Sequence, residues 1–175
     1  MIQGDPPGRP YGITIMKFIA DSMLGRLARW LRLLGYDTLY YPHIEDSLLL
    51  RTAREEDRIL LTRDTRLVKV RGLGKYLLLS ENDTFEQLKK VIEIFGIKPS
   101  GKCDEAIAMP PANRCTLCNS VLESVPKEQV KDRVPEYVYL TTESFKKCQR
   151  CDKFYWKGTH QDRFRKKLTD ILSGS

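Results

Sequence analysis

The sequence predicts an α/β protein, a parallel sheet flanked by helices and followed by a small cysteine-bound module, on two observations. Over residues 16–97, short apolar runs alternate with segments whose apolar residues recur at helical spacing. That is the pattern of strands buried on both faces and joined by crossover helices. Further along, Cys115-Thr-Leu-Cys118 and Cys148-Gln-Arg-Cys151 are two Cys-x-x-Cys pairs in one chain.

The elements follow in order. Residues 1–15, rich in Gly and Pro, read as a disordered leader. Met16 opens a strand-like start, and Lys17-Phe-Ile-Ala-Asp21 is a buried strand ending in an acid. From Ser22 to Leu34 the apolar positions Leu24, Leu27, Ala28, Leu31 and Leu34 trace a helix, with Gly35 placed to end it. Asp37–Tyr41 is a second strand, stopped by Pro42. Asp46 opens a helix through Leu49, Leu50 and Ala53. Arg58–Thr62 is a third strand, followed by Asp64, and Lys75–Ser80 a fourth. Thr84 starts an amphipathic helix with Leu88, Val91, Ile92 and Phe95 on one face and Gly96 after it. Residues 98–113 carry four Pro and Gly residues and no period, and read as a linker. Residues 114–175 are expected to hold short strands around Tyr137–Leu140, the second cysteine pair, Phe154-Tyr-Trp156 and a basic helix from His160 to Ile171.

A tight turn aims both sulfurs of a Cys-x-x-Cys pair at one point. Two such turns supply four thiolates, which suits a closed tetrahedral Zn²⁺ site, a zinc ribbon. A site with no open position is structural, so chemistry is sought in the front unit. His160 is a substitute ligand that four cysteines make unnecessary. The fifth cysteine, Cys103, falls in the linker and reads as a free thiol.

Net charge is +7 and the pI about 9.2, which favours a polyanionic partner such as nucleic acid. No signal peptide or apolar run of membrane-spanning length is present, and the cysteines read as metal ligands rather than disulfides. A cytoplasmic location and no membrane partner are expected.

Parallel sheets bind ligands outside the carboxyl ends of their strands. Asp21 and Asp64 lie just past strand ends on that edge, Asp46 opens a helix there, and Glu81 and Asp83 follow the fourth strand. Carboxylates gathered on one rim repel one another unless a cation sits among them, and hard oxygen ligands suit Mg²⁺ or Mn²⁺. Each acid also has a purely structural account; Asp46, for one, suits a helix N-cap. Arg26, Arg29 and Arg32 recur every three residues on the first helix as a phosphate-facing stripe, with a solvated helix face as the alternative. In the last third, Lys146, Lys147, Arg150, Lys153 and Lys157 interleave with Phe154, Tyr155 and Trp156. That mixture suits single-stranded nucleic acid, although the aromatic residues serve equally well as core.

The stretch Asp21–Asp37 resembles the mut-7 C-terminal RNase family, as do Ile59-Leu-Leu-Thr-Arg-Asp64, Arg114-Cys-Thr-Leu-Cys-Asn119 and Tyr155-Trp-Lys-Gly-Thr-His160. The resemblance runs from about Lys17 to about Leu168. It implies a PIN-like nuclease domain over 16–97 fused to a zinc ribbon, with Mg²⁺ or Mn²⁺ catalysis, an RNA partner and a possible homodimer. Carried over by position, the catalytic acids are Asp21, Asp46, Asp64 and Asp83, with Glu81 as an alternative fourth and Glu45 as an alternative to Asp46. Ser80 and Thr62 are hydroxyls placed to orient a water or a metal-bound oxygen. RNA contacts are expected from Arg26, Arg29, Arg32, Lys146, Lys147, Arg150, Lys153 and Trp156. The expected activity is hydrolysis of phosphodiester bonds in single-stranded RNA. The rival is a non-cleaving RNA-binding module, with a phosphomonoester hydrolase behind it.

Overall fold

The structure, a computed structural model, describes residues 16–97 and 113–156. These fall into two compact units divided at the 112/113 boundary. The expected leader, the linker up to residue 112, Cys103, Lys157 and the basic helix from His160 lie outside the described residues.

In the first unit, β1 (Lys17–Ala20), β2 (Asp37–Tyr40), β3 (Ile59–Thr62) and β4 (Tyr76–Leu78) form a parallel sheet in the order β2-β1-β3-β4. Register pairs Ile19 with Leu39 on one side and with Leu60 on the other. The helices are α1 (Gly25–Leu33), α2 (Asp46–Glu55) and α3 (Thr84–Phe95). Successive strand residues point to opposite faces. Ile19 and Leu60 accordingly pack on Leu49, Leu50 and Ala53 of α2. Phe18 turns the other way, meeting Phe95 of α3 and Tyr36 edge-on at centroid distances of 5.6 and 5.8 Å. Trp30 of α1 packs on Phe85 of α3 at 5.4 Å. Both faces are covered, which is why the strands read as unbroken apolar runs.

Helix ends obey local chemistry. A 3₁₀ turn over Ser22–Leu24 precedes α1, so the α-helix starts three residues later than its apolar period suggests. The ring of Tyr40 lies over its first residue; a Cβ on Gly25 would meet Tyr40 Cζ and Oη at 2.7 Å. Gly35 (φ +92°) ends α1, with its own N–H donating to Arg32 O and that of Tyr36 to Leu31 O, both at 2.9 Å. Gly96 (φ +60°) caps α3 in the same region of backbone space.

At the amino edge of the sheet, Arg58 donates to Asp37 (2.7 Å), to the carbonyl of Phe18 (3.2 Å) and to Glu56 (2.8 Å). The arginine is buried and paired, so the charges at this edge are held by one another.

In the second unit, β5 (Glu123–Val125), β6 (Phe145–Cys148) and β7 (Lys153–Trp156) make an antiparallel sheet in that order. Residues 137–140, expected as strand, belong instead to a short helix, α4 (Glu136–Thr141). Val138 is its buried residue, packed with Val130 and Phe145. Alternation along β7 serves two clusters: Phe154 and Trp156 join that core, while Tyr155 packs against the cysteines. The architecture is therefore a parallel α/β unit followed by a small one whose cysteine cluster fits a zinc ribbon. Among the described residues no helix is long and apolar enough to cross a membrane.

Candidate functional sites: an acid edge and a cysteine centre

The strand order places a topological switch between β1 and β3, since the chain leaves β1 for β2 on one side and returns to β3 on the other. Crevices form at such points. Asp21 stands at the carboxyl end of β1, its N–H continuing the ladder to Leu61 O at 2.9 Å. Its side chain is only 7% exposed. Ser22 Oγ donates to one carboxylate oxygen (3.0 Å) and Thr62 Oγ1 to the other (2.8 Å). The Thr62 hydroxyl in turn accepts the N–H of Asp64 at 3.0 Å, so a single threonine ties the two acids across the switch.

Asp64 is engaged by Arg66. Its Oδ1 accepts the Arg66 backbone N–H (2.7 Å) and Nε (3.3 Å), and its Oδ2 accepts a terminal guanidinium nitrogen (3.1 Å). These hydrogen bonds, the side-chain one foremost, hold the Asp64 carboxyl below the usual carboxylate range. Arg66 is correspondingly raised, chiefly by Asp64 and also by the charge of Asp46, which puts Asp46 within electrostatic reach of this edge. Asp46 is exposed and is the first residue of α2, with Glu45 in the cap position before it. Asp83 is the N-cap of α3, accepting from Phe85 N–H (2.8 Å) and Glu86 N–H (3.3 Å). Its carboxylate thus has a structural task independent of any site. Glu81 carries a buried Oε2 without a hydrogen-bond partner.

Beside Asp21 opens a cleft of about 470 Å³, lined by Ser22, Arg26, Arg29, Tyr40, Arg63 and Asn82 among others. Arg26 and Arg29 are exposed. Arg32, expected on the same stripe, is 3% exposed and donates from Nε to Thr38 O at 2.8 Å. A buried guanidinium committed to the backbone is a structural residue, and the expectation that it meets RNA is corrected.

In the second unit the sulfurs of Cys115, Cys118, Cys148 and Cys151 all lie within 4.8 Å of one another. Among the described residues this is the one group of three or more potential metal ligands so closely gathered. Cys115–Cys151 and Cys118–Cys148 are 3.9 and 3.5 Å apart. A tetrahedron with zinc–sulfur bonds of ≈ 2.3 Å has edges near 3.8 Å, so the donor set fits Zn²⁺. Each pair is followed by a residue with positive φ, Asn119 (+69°) and Asp152 (+53°), types that tolerate the left-handed region. Asn119 N–H closes the first turn onto Cys115 O at 2.9 Å, and Cys151 N–H reaches Cys148 Sγ at 3.4 Å. Tyr155 Oη lies 3.1 Å from Cys115 Sγ, a contact the sequence reading did not anticipate.

The thiols are electrically inequivalent. Burial raises Cys118, but hydrogen bonding with Ser120 and with Cys151 and Cys148 overrides it and brings the thiol down to about 6. Cys151 is pushed up to about 12, first by its bonding with Cys118 and then by burial, and burial raises Cys148 too. Four sulfurs this close do not ionise together without a cation between them.

The basic and aromatic face of this unit is partly spoken for. Lys147 pairs with Asp152 at 2.7 Å and sits 5.4 Å from the Phe154 ring centroid. Arg133 grips the same carboxylate at 2.6 Å and stacks on the same ring at 5.3 Å. Trp156, expected to stack on bases, is half-buried and packs against the core, 6.5 Å from Phe145. Arg150 and Lys153 are exposed, and Lys146 is half-buried.

Neither a search of the curated proteins nor one of the solved structures returns a significant match. The family model described as the Mut7-C RNAse domain matches residues 16–168, a span that includes the acid edge and the cysteine centre alike. The family's description points to a ribonuclease-like or RNA-related role, and the match is long enough to assign the chain: it belongs to the Mut7-C RNAse domain family.

Proposed function

We propose that the first unit is a PIN-like, Mg²⁺- or Mn²⁺-dependent endoribonuclease domain acting on single-stranded RNA, and that the second is a zinc ribbon that helps hold the strand. The observation that carries this is the Asp21–Thr62–Asp64 chain of hydrogen bonds at the sheet's switch point. Asp21, Asp46 and Asp64 would hold the divalent ion, with Asp83 or Glu81 assisting. Their hard oxygen donors are the chemistry such ions select. An ion bound there activates water and stabilises charge on a phosphodiester.

The protein's own residues do the rest. Ser22 and Thr62 fix both oxygens of Asp21 and so its orientation. Arg66 orients the Asp64 carboxylate and keeps it ionised to lower pH than a free aspartate. Arg26 and Arg29 stand exposed beside Asp21 for the phosphates of the strand, and in the ribbon Arg150 and Lys153, with Lys146, offer further cations. Zinc in the cysteine centre stabilises the ribbon, which has only a small apolar cluster of its own.

The test is cleavage of a labelled single-stranded RNA with Mn²⁺ or Mg²⁺. Asp21→Asn keeps an acceptor for Thr62 but loses the charge. It should lower cleavage by about three orders of magnitude or more while RNA binding persists. Undiminished cleavage by both Asp21→Asn and Asp64→Asn would falsify the assignment.

One observation favours the rival, an RNA-binding module that does not cleave: the acids are not gathered as closely as the cysteines, and Asp64 already has a cationic partner. Calorimetric titration separates the two. Mn²⁺ uptake that disappears in Asp21→Asn supports the nuclease; no uptake supports the module.

A further inference from the structure

The cleft beside Asp21 has a charge pattern that the acid edge does not explain. Arg26, Arg29 and Arg63 all line it, and no carboxylate does. None of the three forms an ion pair among the described residues. Arg63 follows β3 directly, one residue before Asp64. Its terminal nitrogen donates to Asn82 Oδ1, which fixes the guanidinium, yet its Nε is shielded from solvent without a hydrogen-bond partner. Donors of a cation are seldom left so.

The remaining lining is made of neutral polar groups. Ser22, Asn82, Thr84 and Gln87 supply hydroxyls and amides, and Tyr40 is held over Gly25 by its hydroxyl donating to Ser22 O at 3.1 Å. A cleft with three uncompensated guanidiniums, neutral donors and an aromatic ring is complementary to an anion attached to a planar group. Its volume is in the range of cavities that enclose a small organic ligand. Ser22 belongs to both places, since it lines the cleft and donates to Asp21. What enters the cleft therefore lies next to the acid edge.

We infer that this cleft is a nucleotide-phosphate subsite, in which Arg63, with Arg26 and Arg29, holds a phosphate of the RNA strand adjoining the one presented to the acids. The inference deepens the ribonuclease reading and rests on it for the identity of the strand; the anion chemistry stands on the cleft alone. Arg63 is then a positioning residue, locked by Asn82, and its planar fork is suited to bidentate contact with a phosphate.

The phosphate has two sources, an internal phosphodiester or a terminal monophosphate, and the experiment distinguishes them. Binding of a fluorescent single-stranded oligoribonucleotide to the full zinc-loaded chain is measured by anisotropy without added Mg²⁺ or Mn²⁺, over a range of salt. The RNA carries either a 5′-phosphate or a 5′-hydroxyl. Arg63→Gln should weaken binding about tenfold and reduce the salt slope by ≈ 0.7 for the lost contact. Arg63→Lys should recover the slope but not the full affinity. A wild-type preference for the phosphorylated end that Arg63→Gln erases assigns the terminal source; equal binding of both ends, weakened equally, assigns the internal one. Arg26→Gln and Arg29→Gln, both at exposed positions, carry the same test should Arg63→Gln fail to fold. Affinity and salt slope unchanged in every folded variant would overturn the inference. Because the readout is binding, a chain that takes up no Mn²⁺ and cleaves no RNA but whose Arg63→Gln variant binds RNA more weakly defeats the nuclease reading and leaves the subsite standing.

Discussion

Asp64 shows how one neighbour decides the state of a candidate ligand. Arg66 reaches it with a backbone N–H and with two guanidinium nitrogens, so the folded protein keeps the carboxylate ionised to lower pH than a free aspartate. The sign follows: the stabilisation is present above the ordinary aspartate value and is lost as pH falls through the depressed folded value. Arg66→Ala should bring the Asp64 carboxyl back up toward the usual range, visible in a carbon-detected NMR titration. At neutral pH the same change removes a competing cation, so Mn²⁺ titration should show tighter uptake. An unmoved titration would mean that Arg66 does not grip Asp64 in solution. The positions of Asp21 and Asp64 just past strand ends were legible because each follows an apolar run of strand length. The Thr62 bond was not, since it joins positions 41 apart through side chains alone. Arg32 was misread for a geometric reason. Residues three apart on an α-helix are displaced by about 60° around the axis, so two such steps carry the stripe from Arg26 well around toward the core.

At the scale of elements, Arg58 is a rivet. It precedes β3, donates to the carbonyl of Phe18 in β1 and pairs with Asp37 in β2, tying three strands at the edge opposite the acids. Both charges of the pair are largely withdrawn from solvent. Arg58→Met removes the buried ion pair with Asp37 and should destabilise the protein by about 3–5 kcal/mol. Chemical denaturation would register this as a lower midpoint, and a midpoint within error of wild type would show that Asp37 finds other partners. The positions of β1 to β4 and of α1 to α3 were legible from period alone, because each is long or apolar enough to declare its geometry. Helix α4 was not. Tyr137-Val-Tyr-Leu140 has the side chains that strands favour, but only Val138 is buried, while Tyr137 and Leu140 are about two-thirds exposed. A single buried position leaves no alternation to support a strand, and the propensity is overridden by context.

The whole molecule contains two differently stabilised units. The first has a two-sided apolar core; the second has a few buried residues and four convergent sulfurs. Removing the Zn²⁺ that the four cysteines are proposed to hold should therefore act selectively. With a strong chelator, amide NMR signals of residues 113–156 should collapse to unfolded positions while those of 16–97 persist, and Cys148→Ser should do the same without chelator. Retained dispersion in both would show that the ribbon folds on its apolar cluster alone. A count of its lysines and arginines overstates what this unit offers an anion, because Asp152 occupies both Lys147 and Arg133. The cysteine spacing made the second unit's centre legible, whereas the pairing that neutralises its cations depends on a turn whose geometry no pattern reveals.

The amide of Asp21 is bonded to Leu61 within the parallel ladder itself. A reactive group carried on a loop can drift out of alignment on warming while the scaffold stays intact, giving an enzyme that fails before it melts. Here the acid is an extension of the central strand, and its partner Thr62 is the last residue of the neighbouring one. If the proposed nuclease is correct, its thermal inactivation should have no early stage at Asp21: displacement of that carboxylate should coincide with the parting of β1 from β3.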